Sequence, residues 1–122
     1  MMVGKITAEQ EAVIELEVIG VNRPENIAAI IDTGFDGELS LPSNFIKRLK
    51  LQRIGEMPVI LGDGSTVDLD VYLAKVLWHG ATREVDVLRT DGDALVGMAL
   101  LKDNRLTLDV VTDGAVTIEA LP

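Results

Sequence analysis

A chain of 122 residues is long enough for one domain with a modest core and too short for two. Hydrophobic residues at 48% and charged residues at 25% are ordinary globular proportions, which excludes disorder as the main state. The 20 acidic side chains outnumber 11 basic ones, and the net charge of -9 repels phosphate, arguing against a nucleic-acid partner. There is no cysteine, hence no disulfide, thiol chemistry or thiolate metal site, and a single histidine, His79, excludes multi-histidine sites. The start, Met1-Met2-Val3-Gly4-Lys5, leads into no apolar signal core, and no apolar run reaches membrane-spanning length. The expectation is a soluble, cytoplasmic protein with no membrane partner.

Valine, isoleucine and threonine number 14, 10 and 8, against four aromatic residues. These β-branched side chains are stiff at χ1 and suit a pleated sheet better than a helix. Val3 to Ala8 reads as an edge strand at the N-terminus. Ala12 to Gly20 alternates, with Ile14, Leu16 and Val18 on one face and Glu15 and Glu17 on the other, the period of a half-buried strand. Asn22-Arg23-Pro24 reads as a turn. Ile27 to Ile31 is wholly apolar, a strand expected to be buried on both faces, and it stops at Asp32-Thr33-Gly34. Glu38 to Leu41 is a short strand closed by Pro42. Ser43 can cap a helix over Asn44 to Lys50, whose Phe45, Ile46 and Leu49 share a face.

Met57 to Leu61, the turn Gly62-Asp63-Gly64-Ser65 and a long strand from Thr66 to Trp78 form a hairpin. Asp-Gly there predicts a type I′ turn, with positive φ at both central residues. His79-Gly80 turns the chain into Ala81 to Leu88, and Thr90-Asp91-Gly92-Asp93 is a loop. Leu95-Val96-Gly97 is a second apolar run ending in glycine, echoing Ile30-Ile31-Asp32-Thr33-Gly34, and Met98 to Asp103 reads as a short helix. Leu106 to Val111 and Ala115 to Leu121 make a last hairpin around Asp113-Gly114, its final strand another edge. About eight short strands with one or two small helices, and no linker, predict one mostly-β barrel domain over residues 1–122.

Asp32 needs an explanation, because a buried apolar strand ends on a carboxylate only where that group is capped, hydrogen-bonded or at work. A plain strand-to-turn transition would also favour Asp, Thr and Gly. The surrounding sequence goes further. Ala29-Ile30-Ile31-Asp32-Thr33-Gly34-Phe35-Asp36-Gly37-Glu38-Leu39-Ser40-Leu41-Pro42 resembles the active-site loop of retropepsin-like aspartic peptidases (clan AA), where apolar residues precede Asp-Thr/Ser-Gly. In that family an apolar-apolar-Gly segment and a helix follow in the second half, as Leu95-Val96-Gly97-Met98-Ala99-Leu100-Leu101 does here, with Asn104 to Val111 matching the strand beyond. Val59 to Val71, around Gly62-Asp63-Gly64, falls where the family has its flap hairpin. The resemblance is to the small, stand-alone prokaryotic members of the clan.

The resemblance implies a compact retropepsin-like β-barrel with one active-site loop per subunit. Asp32 would be the catalytic carboxylate, Thr33 would bond across a dimer, and Gly34 would let substrate backbone lie close. Asp36 would bind substrate main chain, and Asp63 and Gly64 would sit at the flap tip. Phe35 stands where viral members carry a small residue, and it would reshape the neighbouring subsite. Because the chain has one Asp-Thr-Gly and no Asp-Ser-Gly, the resemblance implies a homodimer acting on an extended peptide, with no cofactor or metal. The alternative reading is a catalytically silent dimeric module that binds peptides through the same groove.

Other residues offer less. His79 reads as an exposed turn residue, and Asp68 and Asp70 as a solvated strand face opposite Leu69 and Val71. Asp91 and Asp93 lack the spacing of a calcium loop. Met57, Met98, Leu100 and Leu101 read as core.

Overall fold

The computed structural model describes every residue except Asn22, so the turn expected at Asn22-Arg23-Pro24 lies partly outside the described residues. In chain order the elements are β1 (Met2–Ile6), β2 (Ala12–Ile19), β3 (Pro24–Ile31), β4 (Leu39–Pro42), α1 (Ser43–Leu49), β5 (Gln52–Ile60) and β6 (Thr66–Trp78). Then come β7 (Ala81–Thr90), β8 (Leu95–Val96), α2 (Met98–Leu101), β9 (Asn104–Leu108) and β10 (Ala115–Ala120). The protein is mostly β, as its composition predicts.

The strands make one sheet in the order β5-β6-β7-β4-β8-β3-β2-β1-β10-β9. β6 also reaches β2 through Val18↔Val76 and Ile19↔Lys75, which bends the sheet back on itself. Inside that bend lies the core, where Leu16, Val18, Leu39, Leu41, Val76, Val87, Val96, Leu100 and Ile118 are fully buried. Alternation does what the sequence predicts in β2, where Ile14, Leu16 and Val18 are buried and Glu15 is exposed.

Several expectations are corrected. The terminal strands are not edges: β1 and β10 pair with each other through Met2↔Ile118 to Lys5↔Ala115, with β2 and β9 on either side. β3 starts at Pro24 and is not buried on both faces, because Ala28 is exposed and Ile30 and Ile31 are half-buried. Pro42, not Ser43, is the N-cap of α1, since β4 runs straight into the helix, and no side chain caps it. Asp63 lacks positive φ. Gly64 alone in that loop has it, at 85°, with its N–H on the Leu61 carbonyl and Leu61 N–H on the Ser65 carbonyl. This is a three-residue loop closed by a left-handed glycine. The two-residue turn with positive φ at both positions occurs instead at His79 and Gly80, between Trp78 and Ala81. Met57 and Met98 are 44% and 49% exposed rather than core, while Leu100 and Leu101 are buried as expected.

Candidate functional site

Asp32 is placed by β8. That strand inserts between β3 and β4, consecutive in sequence, running parallel to β3 (Ile30↔Leu95, Ile31↔Val96) and antiparallel to β4 (Leu39↔Val96, Ser40↔Leu95). Ile30 N–H donates to the Ala94 carbonyl and Asp32 N–H to that of Val96, so the ladder holds the chain up to Asp32 itself. Beyond it the chain reverses. Gly34 N–H donates to Asp32 Oδ1 at 2.9 Å and Phe35 N–H to the Asp32 carbonyl at 3.2 Å, an Asx-type turn. Asp32 is half-buried, and Thr33, Gly34 and Asp36 are exposed.

The loop is locked to α2 from behind. Gly97 N–H donates to the Glu38 carbonyl, Met98 N–H to that of Phe35 and Ala99 N–H to that of Gly37. A Cβ at Gly97 would run into the Gly37 carbonyl oxygen and, at 2.8 Å, that of Phe35, so only glycine lets the two segments approach. The Phe35 ring folds back over the same place, within 2.6 Å of where a Cβ on Gly37 would stand. It therefore packs against the loop's own glycines. The Glu38 carboxylate, half-buried, accepts the Asp86 N–H at 3.0 Å and Arg83 Nη2 at 3.1 Å, tying the loop's end to β7. Sequence reading missed this pair; the partners are 45 residues apart and no local pattern joins them.

A cleft of about 460 Å³ opens beside Asp32 and Thr33. Ile30, Ile31, Leu95, Leu108 and Val110 supply its apolar walls, and Glu11 and Asp93 add carboxylates. Gly34, Asp36, Asp63 and Gly64 do not line it. Asp63 and Gly64 lie at the end of the β5–β6 hairpin. Ser65 Oγ at 2.6 Å and Ser65 N–H at 2.9 Å donate to Asp63 Oδ1, and these bonds hold its carboxyl below the ordinary aspartate range.

Register connects the hairpin to the loop. Residues paired across strands share a face, so Met57, Leu69, Val71, Leu88, Ser40, Leu95 and Ile30 form one row. Asp32, two residues past Ile30, continues it. Met57 and Val67 on the hairpin's part of that face are exposed. Asp70, on the opposite face, is not merely solvated: Arg53 Nε at 3.0 Å and Arg89 Nε at 3.4 Å both reach its carboxylate. His79 Nε2 meets Asn104 Oδ1 at 2.6 Å and takes no part in the site.

No protein-family model and no curated protein sequence matches the chain. Solved structures do. EIAV protease complexed with the inhibitor HBY-793 is similar with a TM-score of 0.62 and 21% identity, over 79% of this chain and 89% of that one. A retropepsin-like aspartic protease from Rickettsia conorii is similar with a TM-score of 0.59 and 14% identity, over 98% of this chain and 89% of that one. Simian Foamy Virus (mac) protease follows with 0.51 and 20%, over 71% and 90%. The inserted β8, the Asp32 turn and these likenesses together identify a retropepsin-like fold.

Proposed function

We propose that the protein is an aspartic endopeptidase, working as a homodimer in which Asp32 faces the partner's Asp32. The observation that carries this reading is the turn at Asp32-Thr33-Gly34, held by β8 beside a cleft with apolar walls, with its carboxylate half-buried and Thr33 and Gly34 exposed. Such a turn leaves one carboxylate oxygen free of the Gly34 bond and open to a facing surface. The chain offers one such loop, so the second carboxylate comes from a second copy.

Two facing carboxylates share a proton, because both cannot ionise at close range without strong repulsion. The ionised member takes a proton from a bound water, whose oxygen attacks the scissile carbonyl. The protonated member donates to the developing oxyanion, and a proton then passes to the leaving amine as the C–N bond breaks. Thr33 bonds across the axis and keeps the two loops in register. Gly34 gives room for substrate backbone, and Asp36 binds it. The β5–β6 hairpin, with Asp63 and Gly64 at its tip, closes over an extended peptide and pairs with it in β fashion. Residues 1–122 act as a single domain, in the cytoplasm, with no cofactor.

Asp32→Asn tests the reading. Asparagine keeps an oxygen for the Gly34 N–H but cannot serve as the base, so cleavage of a denatured proteome digest falls to background while the melting temperature holds or rises. Cleavage surviving in Asp32→Asn removes the proposed chemistry. Wild-type protein that binds peptides without cutting any supports the silent binding module instead.

A further inference from the structure

The chain leaves β3 after Ile31 and rejoins the sheet at Leu39, and side chains anchor the far end of that excursion. β4 meets β7 first at Leu39↔Val87, so the Asp86 N–H lies one residue short of that rung. Glu38 Oε1 accepts it at 3.0 Å, and a side chain thereby lengthens the ladder by one bond. Glu38 Oε2 accepts from Arg83 Nη2 at 3.1 Å. The same Nη2 donates to the Ala99 carbonyl on α2 at 3.4 Å, which uses both of its hydrogens. Arg83 shares a face of β7 with buried Val85 and Val87, so its stem runs along the core side and its head emerges beside α2.

These bonds close a circuit. Ala99 N–H donates to the Gly37 carbonyl, Gly37 is joined to Glu38, and the Glu38 carboxylate returns through Arg83 to the Ala99 carbonyl. The Asp32 turn hangs from it: Gly97 N–H donates to the Glu38 carbonyl, Met98 N–H to that of Phe35, and Phe35 N–H to that of Asp32. We propose that Arg83 is a positioning residue for Asp32, fixing the Asp32 loop against α2 through Glu38 and the Ala99 carbonyl. The inference rests on the peptidase reading above for its kinetic consequence alone. Polarity decides who can serve. The Asp86 N–H and the guanidinium both donate, and a carboxylate at position 38 accepts both at once, one on each oxygen. Reacting groups must be held to within about 0.5 Å, so slack in the circuit costs turnover. Neither residue lines the cleft beside Asp32, so substrate affinity is largely spared.

Kinetics and amide exchange on the full chain test this. Arg83→Met keeps the stem and removes the donors. It should lower kcat about tenfold or more, leave KM within about twofold, and speed exchange of the Gly97 and Ala99 amides relative to those of β2. Arg83→Lys keeps a donor and should recover most of both losses. Should Arg83→Met fail to fold, Glu38→Gln, which sets an amide NH2 against one of the two donors, should reproduce its effects. Exchanging the pair, Glu38→Arg with Arg83→Glu, should restore nothing: a carboxylate at position 83 repels the Ala99 carbonyl, and a guanidinium at position 38 cannot accept the Asp86 N–H. Glu84→Gln, a neighbouring exposed position on β7, should behave as wild type. Unchanged exchange at Gly97 and Ala99, acceleration shared equally by β2, or an exchanged pair as active as wild type each overturns the positioning role. So does an Arg83→Met protein that cuts with wild-type kcat, which leaves the peptidase reading standing. A wild type that cuts no peptide sinks the peptidase reading instead, and amide exchange in Arg83→Met then decides alone for or against the circuit.

Discussion

Asp63 and Gly97 show how single residues set local structure, one in the loop of the β5–β6 hairpin and one behind the Asp32 turn. The Ser65 hydroxyl and then the Ser65 N–H favour the ionised form of Asp63, so its folded pKa lies below the ordinary 3.8. A carboxylate depressed in this way supports the turn above its free pKa, and the support fades as pH falls through the lowered folded value. The Ser65 amide resonance should therefore titrate with a midpoint below 3.8, and Asp63→Asn should abolish that titration. A midpoint above the free value would mean the bonds favour the neutral acid. Gly97 is constrained by space rather than charge. Gly97→Ala forces a methyl into the Phe35 and Gly37 carbonyl oxygens, both backbone, and neither can swing away. The expected loss is about 1–3 kcal/mol, read from urea denaturation, and a neutral result would show that α2 and the Asp32 loop are not locked as described.

Among elements, the β5–β6 hairpin depends on a charge relay at its base. Asp70 on β6 holds Arg53 on β5 and Arg89 on β7, and its bond raises the Arg53 pKa. The three side chains are partly exposed, so the network contributes little in salt. Asp70→Asn should cost about 1 kcal/mol at low ionic strength and much less at high salt, compared by denaturation under both conditions. A deficit that salt leaves unchanged would assign Asp70 a packing role. Elements also show what a sequence can reveal. The alternation of Ile14, Leu16 and Val18 declared β2, and Thr66 to Trp78 was readable to the residue, because period and turn residues are local signals. Asp32-Thr33-Gly34 was legible as a strand running into a turn for the same reason. Ile27 to Ile31 misled, since an apolar run does not tell whether its second face is covered, and a small residue such as Ala28 can stay exposed cheaply. The turn with positive φ at two central residues, expected at Asp63-Gly64, forms instead at His79-Gly80, because both dipeptides tolerate positive φ and the flanking register decides which adopts it. The Glu38–Arg83 tie and the β1–β10 pairing were invisible, being contacts between distant parts of the chain.

For the whole molecule, that β1–β10 pairing separates folding from assembly. Were the terminal strands paired only across copies, a lone chain would leave two unsatisfied edges and a partly open core, and dissociation would be unfolding. Here both termini are paired in cis, and Ile6, Val116 and Ile118 are buried within one chain. The core cluster is likewise complete without a second copy. A single chain should thus keep its fold, while the proposed reaction still needs two Asp32 carboxylates. Dilution should therefore lower cleavage per chain as dimers dissociate, with the far-UV circular dichroism unchanged. The midpoint of the activity loss should coincide with the dimer dissociation constant measured by sedimentation, and denaturant should remove activity before it removes secondary structure. If activity and secondary structure instead disappear together, at a midpoint that moves with protein concentration, the fold is not self-sufficient and the cis pairing of the termini does not stabilise it alone.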